Sequence, residues 1–439
     1  MAAAARDCYL RGRVTRVACA VLLCAVAQSV RAQDPRADLS LLGPTAGAEW
    51  DAHRQLDLRW SLAGAYDDDL AADAQQLFDP QIKMNGAFAT ESVSLLFKAH
   101  GKHASFSATA ASGGRYYPDL QSLSAVDGSG NVTFAADMGA KTKIHAAQGI
   151  TFQPYYELNV LNGLMPDDAH PIRTDPAALT ALASHGYAGS AGVTEQFSSR
   201  SQLSLDYEYR YTQFSASAQP FVWQLARTRF THHLTKDAAL RVGYAYGAGQ
   251  FGDRAGATPF VSHDLDLGID YSRALAFSRR TTVSFGSGST LVPSAVGLGY
   301  FVNADASLNR EVGRTWKASL GYHRGIQLNE GFVQPLYVDT ALLRLGGLVT
   351  RRVSLLVSAS YSAGQIGLAA GNQRYGTYNA ESDLRIGINR TLAAYAHYMN
   401  YRYTFNSAAG TPFGLPPMLN RQGLRVGISG WLPLLRSGR

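Results

Sequence analysis

The sequence predicts an all-β chain, a transmembrane antiparallel up-and-down β-barrel of about 18 strands (16–18), on three observations. Apolar and polar residues alternate with a period of two in segment after segment. The segments are joined by short polar connections and longer ones in alternation. A basic and then apolar leader precedes them all.

The stretch "SLDYEYRYTQF" shows the alternation. Leu203, Leu205, Tyr207, Tyr209 and Tyr211 form one series, and Ser204, Asp206, Glu208, Arg210 and Thr212 the other. Successive side chains of a strand point to opposite faces, so one face is apolar and aromatic and the other charged. The pattern recurs in "ALRVGYAYG" (Leu240, Val242, Tyr244, Tyr246) and in "HDLDLGIDYS", where Leu265, Leu267, Ile269 and Tyr271 oppose Asp264, Asp266 and Asp270. In "TWKASLGYH", Trp316, Ala318, Leu320 and Tyr322 oppose Lys317, Ser319 and His323. "RRVSLLVSASYS" adds Val353, Leu355, Val357, Ala359 and Tyr361, and "SDLRIGIN" adds Leu384, Ile386 and Ile388 beside Arg385.

Short polar connections fall near 100, 141, 199, 235, 278, 312, 351 and 390, most of them roughly 36–42 residues apart, with one wider gap before 199. Longer Gly/Pro/Asp-rich segments, such as "GAGQFGDRAGATP" and "NSAAGTPFGLPP", lie between the hairpins. Alternation of this kind places every short turn at one end of the sheet. A first strand over 54–66 and a last over 418–432 complete an even number. Lipid then meets the Leu/Val/Tyr faces. An aqueous interior meets the charged ones: Asp206, Glu208, Arg210, Asp264, Asp266, Asp270, Lys317 and Arg385. A barrel bonds all its backbone groups between strands and needs no transmembrane helix.

The leader, with Arg6, Arg11, Arg13 and Arg16, the apolar run Val17 to Ala27 and the close "SVRA", reads as a secretory signal peptide over 1–32. The expected organisation is signal peptide 1–32, N-terminal periplasmic segment 33–47 and barrel 48–439. All three cysteines, Cys8, Cys19 and Cys24, lie in the leader, so the mature chain offers no disulfide or thiolate metal site. Without the leader's five Arg and one Asp, the 40 Lys and Arg against 33 Asp and Glu become 35 against 32, a net charge of +3. That balance gives no reason to expect a nucleic-acid partner.

"GAGQFG" (247–252) matches a dinucleotide fingerprint, but no helix follows, so a glycine-rich external loop is expected. "DLDLGID" has a calcium-loop spacing on strand geometry, so its carboxylates are expected to line the interior. "YDDDLAAD" (66–73) is expected as a solvated acidic run in the first external loop rather than a calcium site. His232 and His233 at a turn point to opposite sides of a strand. His323 and Asp305, on paired strands, are expected to be offset in height, which leaves no catalytic set, no metal and no cofactor.

The wide gap contains "LNGLMPDDAHPIRTDPAALTALASHGYAG", residues 161–189, joining the fifth and sixth strands as the third external loop. Asp175 as N-cap, Pro176 at the first position and Gly186 as stop predict a short helix. In general porins the third loop narrows the pore. By that resemblance Asp167, Asp168, His170 and Arg173 set a constriction's charge, the alternative being a surface loop.

"LDLRWSLAGAYDDDL" near the start and "NRQGLRVGISGWLPL" at the close carry a family likeness. The chain resembles the β-barrel porins found beside exopolysaccharide loci, the EpsL-like "porin 2" type, from which it departs at Asp69, where an Asn is usual. The final strand of such barrels ends in an aromatic read by the barrel assembly machinery. Trp431 takes that place here, followed by a short basic tail. The resemblance implies an outer-membrane location, lipid and assembly-machinery partners, and a part in surface-polysaccharide export beside export components. The expected function is a channel for small solutes or polymer and not an enzyme. A plugged or structural barrel with a binding role and an outer-membrane hydrolase are the alternatives.

Overall fold

The computed structural model describes residues 53–437, apart from 69–85, 119–123, 155, 158–178, 181–182, 216–219, 252–259, 276–277, 295–296, 328–333, 369–372 and 407–416. Its strands are β1 (Arg54–Asp67), β2 (Gly86–His100), β3 (Ala104–Tyr116), β4 (Ala125–Asp137) and β5 (Thr142–Gln153). Two short pieces follow, β6 (Tyr156–Glu157) and β7 (Leu179–Thr180), then β8 (Ser184–Gln196), β9 (Ser201–Phe214) and β10 (Phe221–His233). Next come β11 (Ala238–Phe251), β12 (Phe260–Leu275), β13 (Ser278–Ser294), β14 (Gly297–Val312) and β15 (Trp316–Gln327). The last are β16 (Leu336–Thr350), β17 (Val353–Ile366), β18 (Arg374–Gly387), β19 (Leu392–Phe405) and β20 (Met418–Ser437).

Eighteen of these strands form one sheet in which each pairs antiparallel with its neighbours in the chain. The sheet closes because β1 pairs with β20 as well as with β2. The fold is therefore a closed, all-antiparallel up-and-down barrel, with no helix among the described residues. β6 and β7 pair only with each other, outside the wall.

The eight short turns fall where the polar connections predict. Three of them are held by a side chain that accepts backbone N–H bonds two and three residues on, the usual reason Ser, Thr and Asn occupy such turns. Ser198 Oγ accepts from Arg200 and Ser201, Thr235 Oγ1 from Asp237 and Ala238, and Asn389 Oδ1 from Thr391 and Leu392. Gly139 (φ 125°) and Gly313 (φ 68°) sit in two others, where backbone of that hand favours glycine. At the other end the connections are longer, with one exception. β13 and β14 extend so far that only residues 295–296 separate them.

The two faces of the wall differ as the alternation requires. Leu62, Val93, Leu205, Leu267, Ile269 and Val426 are exposed on the outward face, Leu267 to 68%. Most strands are 12–17 residues long, more than the ~9–11 that a tilted strand needs to cross a bilayer, so the barrel is a transmembrane one. Tyr66, Tyr116, Tyr187, Tyr300, Tyr361 and Tyr378 face outward nearer the long-connection end. Such rings suit the headgroup level of a membrane. The one outward ion pair described sits at that level too: Arg324 and Asp339 lie 3.6 Å apart, and Tyr322 donates to Asp339 (2.5 Å).

Three segments differ from what the sequence predicts. The helix ending at Gly186 does not form: Leu179–Thr180 pairs with Tyr156–Glu157, and Ser184 to Gly186 lie in β8 opposite β5. The loop is thus shorter at its far end than 161–189. β20 runs to Ser437, so the basic tail is strand, and Trp431 faces inward opposite Arg59, 7% exposed. A register shift between Leu56 and Asp57 accommodates the extension. Gly247 to Phe251 belong to β11 rather than to an external loop.

Candidate functional site in the barrel interior

Antiparallel partners share a face, so the ladder fixes which side chains meet inside. On the wall of β9 to β12, inward residues stack in rows. Below the buried Thr212–Phe221 pair at the long-connection end, Arg210, Trp223, Gly249 and Phe260 form the first of these rows. Glu208, Leu225, Gly247 and Ser262 form the next, and Asp206, Arg227, Ala245 and Asp264 the third. Below them lie Arg229, Gly243 and Asp266, then Arg241 with Gly268.

The lower rows form a paired cluster. Asp266 accepts from Arg241 Nε (2.6 Å) and lies 3.0 Å from Arg229 Nε. Arg241 also bonds Asp270 and donates to the carbonyl of Ser287 (3.2 Å). That carbonyl stands in a register break, where β12 advances six positions, from Leu265 to Tyr271, while β13 advances four, between Ser289 and Phe285. Arg241 thus fills a gap in the ladder and supplies the positive charge that a calcium reading of "DLDLGID" assigns to a metal. No group of three or more His, Cys, Asp or Glu among the described residues could hold a metal ion.

His145 of β5 reaches Asp206 of β9 across the intervening β8, Nε2 to Oδ1 at 3.1 Å. The bridge requires Gly192, because a Cβ there would overlap both side chains. Gly192→Val should therefore separate the pair and cost about 1–3 kcal/mol, the range for stranding a partly buried polar partner. Urea-unfolding midpoints of the refolded protein check this, and an unchanged midpoint would show that the bridge contributes nothing.

His323 and Asp305 are not offset. They are direct ladder partners, with Nδ1 2.6 Å from Oδ1. The turn is centred on Arg314, midway between them, rather than on Val312. Neither His323 nor His145 bonds a hydroxyl among the described residues, so neither pair forms a nucleophilic triad. Lys317 faces Glu311 across the ladder near the short turns, and Arg385 bonds Asp383 beside it on β18 (2.7 Å). Asp167, Asp168, His170 and Arg173 lie outside the described residues.

The facing wall, β16 to β20 with β1, is of another kind. Its inward side chains Leu336, Val338, Tyr375, Tyr401, Tyr403, Phe405 and Leu419 are buried. Tyr403 packs against Tyr401 and Phe405, with ring centroids 5.9 and 5.2 Å apart. Outward, the same stretch of β19 carries Asn400, Arg402 and Thr404, so the apolar and polar faces are exchanged there. The period-two pattern alone predicts apolar series outward throughout. The signal that could have exposed the exception is "YMNYRYTF", whose rings alternate with Asn and Arg close to the strand's end.

Arg421 and Asp67, each 1% exposed, join β20 to β1 on this wall. Arg421 Nε and Nη2 both lie 2.6 Å from Asp67 Oδ2, and the next residue, Asp68, accepts from the Gln422 N–H (2.6 Å). Asp67 is thus buried in the seam rather than part of a solvated run, while Asp68 beside it is half-exposed. They bind "NRQ" at the seam, and the two stretches that carry the family likeness meet in space.

The fold and its inward charges define a transmembrane β-barrel with a partly polar interior. No family model matches the chain, and no curated protein matches it. Solved structures similar to it include Pseudomonas aeruginosa OccK2 (OpdF) in complex with glucuronate: 11% identity, TM-score 0.45, covering 87% of this chain and 98% of that one. Acinetobacter baumannii OccAB3 is 12% identical, with a TM-score of 0.44 and coverage of 87% and 99%. The siderophore receptor PirA from Pseudomonas aeruginosa is 9% identical, with a TM-score of 0.40 and coverage of 86% and 80%. Values of this size carry no inference about what this chain transports or binds.

Proposed function

We propose that the protein is an outer-membrane channel for small hydrophilic solutes. The observation that carries this reading is the closure of eighteen strands around an interior whose β9–β12 wall is charged and partly exposed. Barrels of 16–18 strands leave an aqueous channel, whereas eight strands are filled by side chains. The short turns then face the periplasm and the long connections the cell exterior, as in barrels of the bacterial outer membrane. Membrane lipids, the barrel assembly machinery and polysaccharide-export components are its proposed partners. The interior acts by charge and shape, without catalysis.

Liposome swelling provides the test. Vesicles carrying the protein should swell in iso-osmotic arabinose or glycine faster than vesicles without it, and equal rates would refute the channel.

A second reading has its own support. The buried inward wall of β16–β20, with Tyr403 and Leu336 at 0% exposure, favours a barrel part-filled on that side. Swelling by glycine but not by disaccharides would match a part-filled barrel. The narrower assignment, a role in surface-polysaccharide export, rests on the EpsL-like resemblance of "LDLRWSLAGAYDDDL" and "NRQGLRVGISGWLPL". Its test is the amount of secreted polysaccharide after deletion of the gene, and undiminished secretion would reject it.

A further inference from the structure

The glycines of β11 that resemble a nucleotide fingerprint have another use. The indole of Trp223 lies across both of them: a Cβ at Gly249 would stand 3.1 Å from its Cε3, and one at Gly247 2.8 Å from its Cζ2, overlapping the ring's outer edge. The six-membered ring of Trp223 therefore occupies the space over both glycines that side chains there would fill. Trp223 is nevertheless only half-buried, which leaves surface turned toward the interior. Phe260 extends the platform, its ring centroid 6.3 Å away at an interplanar angle of 30°. The site sits at the third residue of β10 from the long-connection end.

Two charged groups border the platform. Arg210 is the ladder partner of Trp223, and Glu208 that of Leu225 in the next row. Among the described residues neither makes a side-chain hydrogen bond or ion pair. Their neighbours on the same wall are engaged with one another, Asp206 with His145 and Asp266 with Arg229 and Arg241. A half-exposed indole, a donor-only group and an acceptor-only group thus stand in adjacent rows of the inner wall, the two charged groups unused.

We propose that Trp223 is the floor of a sugar-binding subsite that takes a hexopyranose ring. Such a ring has a face of C–H groups and an edge of hydroxyls. The C–H face matches the negative face of an indole. The hydroxyls both donate and accept, so they satisfy Glu208 and Arg210 together. A quaternary ammonium ligand uses the ring face but meets the charge of Arg210. A bare planar aromatic stacks but leaves both charged groups without a partner. Gly247 belongs to the design, since any side chain there lifts the indole from the wall.

The inference rests on the reading of an interior open to solute, but its test does not need conduction. The probes are maltohexaose and cellohexaose, titrated calorimetrically into the full-length protein refolded in detergent. A saturable heat from at least one is expected. Trp223→Ala should weaken that binding roughly tenfold or more, and Trp223→Phe much less. Glu208→Gln and Arg210→Gln change unpaired positions and keep the fold. Each should weaken binding severalfold, with heat-modifiable gel mobility as the folding control. No saturable heat from either hexasaccharide would overturn the proposal. Equal binding by Trp223→Ala would also overturn it, as would saturation by tetramethylammonium alone. Sugar binding by a protein that swells no liposomes would defeat the channel reading and leave the subsite standing.

Discussion

Arg421→Leu is expected to destabilise the barrel by about 3–5 kcal/mol, the cost of breaking a buried ion pair from one side. Asp67, 1% exposed, then loses the guanidinium that two nitrogens of Arg421 hold against it. The position magnifies the effect, because β1 and β20 are the first and last strands and their ladder closes the cylinder. Replacing both members of a buried pair by apolar residues removes the desolvation cost together with the attraction, and is often neutral or stabilising. Arg421→Leu combined with Asp67→Leu should therefore recover most of the loss. Urea-unfolding midpoints measure both variants. A single variant within about 0.5 kcal/mol of the parent, the range of an ordinary surface change, would show that the seam does not depend on this pair.

Leu267→Arg should cost about 2–4 kcal/mol, as charge on the lipid face near a bilayer midplane does. Leu267 is outward, highly exposed and close to the middle of β12. Leu205→Arg, nearer a strand end, should cost less. Glu208→Arg, on the opposite face of β9, should leave stability within about 0.5 kcal/mol and shift ion selectivity toward anions. Asp206 is a poorer inward probe, because its bond to His145 makes any loss there partly structural. Equal folding defects at Leu267 and Glu208 would reverse the assignment of faces.

Much of this architecture is legible in the chain because the barrel imposes period two on nearly every strand. Short polar turns fix the ends of the strands, and the alternation fixes which residues share a face. Alternation does not say how dry each face is. In β19 the ring-bearing face is the inner one, so Tyr401 and Tyr403 appear as lipid contacts until the ladder is traced. Register across a turn depends on where the turn is centred, and a two-residue error there separated His323 from Asp305. Asp67 shows a third limit. An acidic run at a strand's end reads as solvated, and only closure of the sheet brings Arg421, more than three hundred residues away in the chain, against it. Gly247 and Gly249 read as loop for a like reason, since the indole that needs their space comes from a different strand.

A closed barrel that surrounds a passage conducts ions. The most direct measurement is the current across a planar lipid bilayer as the purified, refolded protein is added at fixed voltage. Discrete steps of uniform size are predicted, with the Glu208→Arg variant inserting equally well and showing a reversal potential moved toward that of the anion. A correctly folded protein that inserts without any step in current would contradict it, and the eighteen strands would then enclose a filled core.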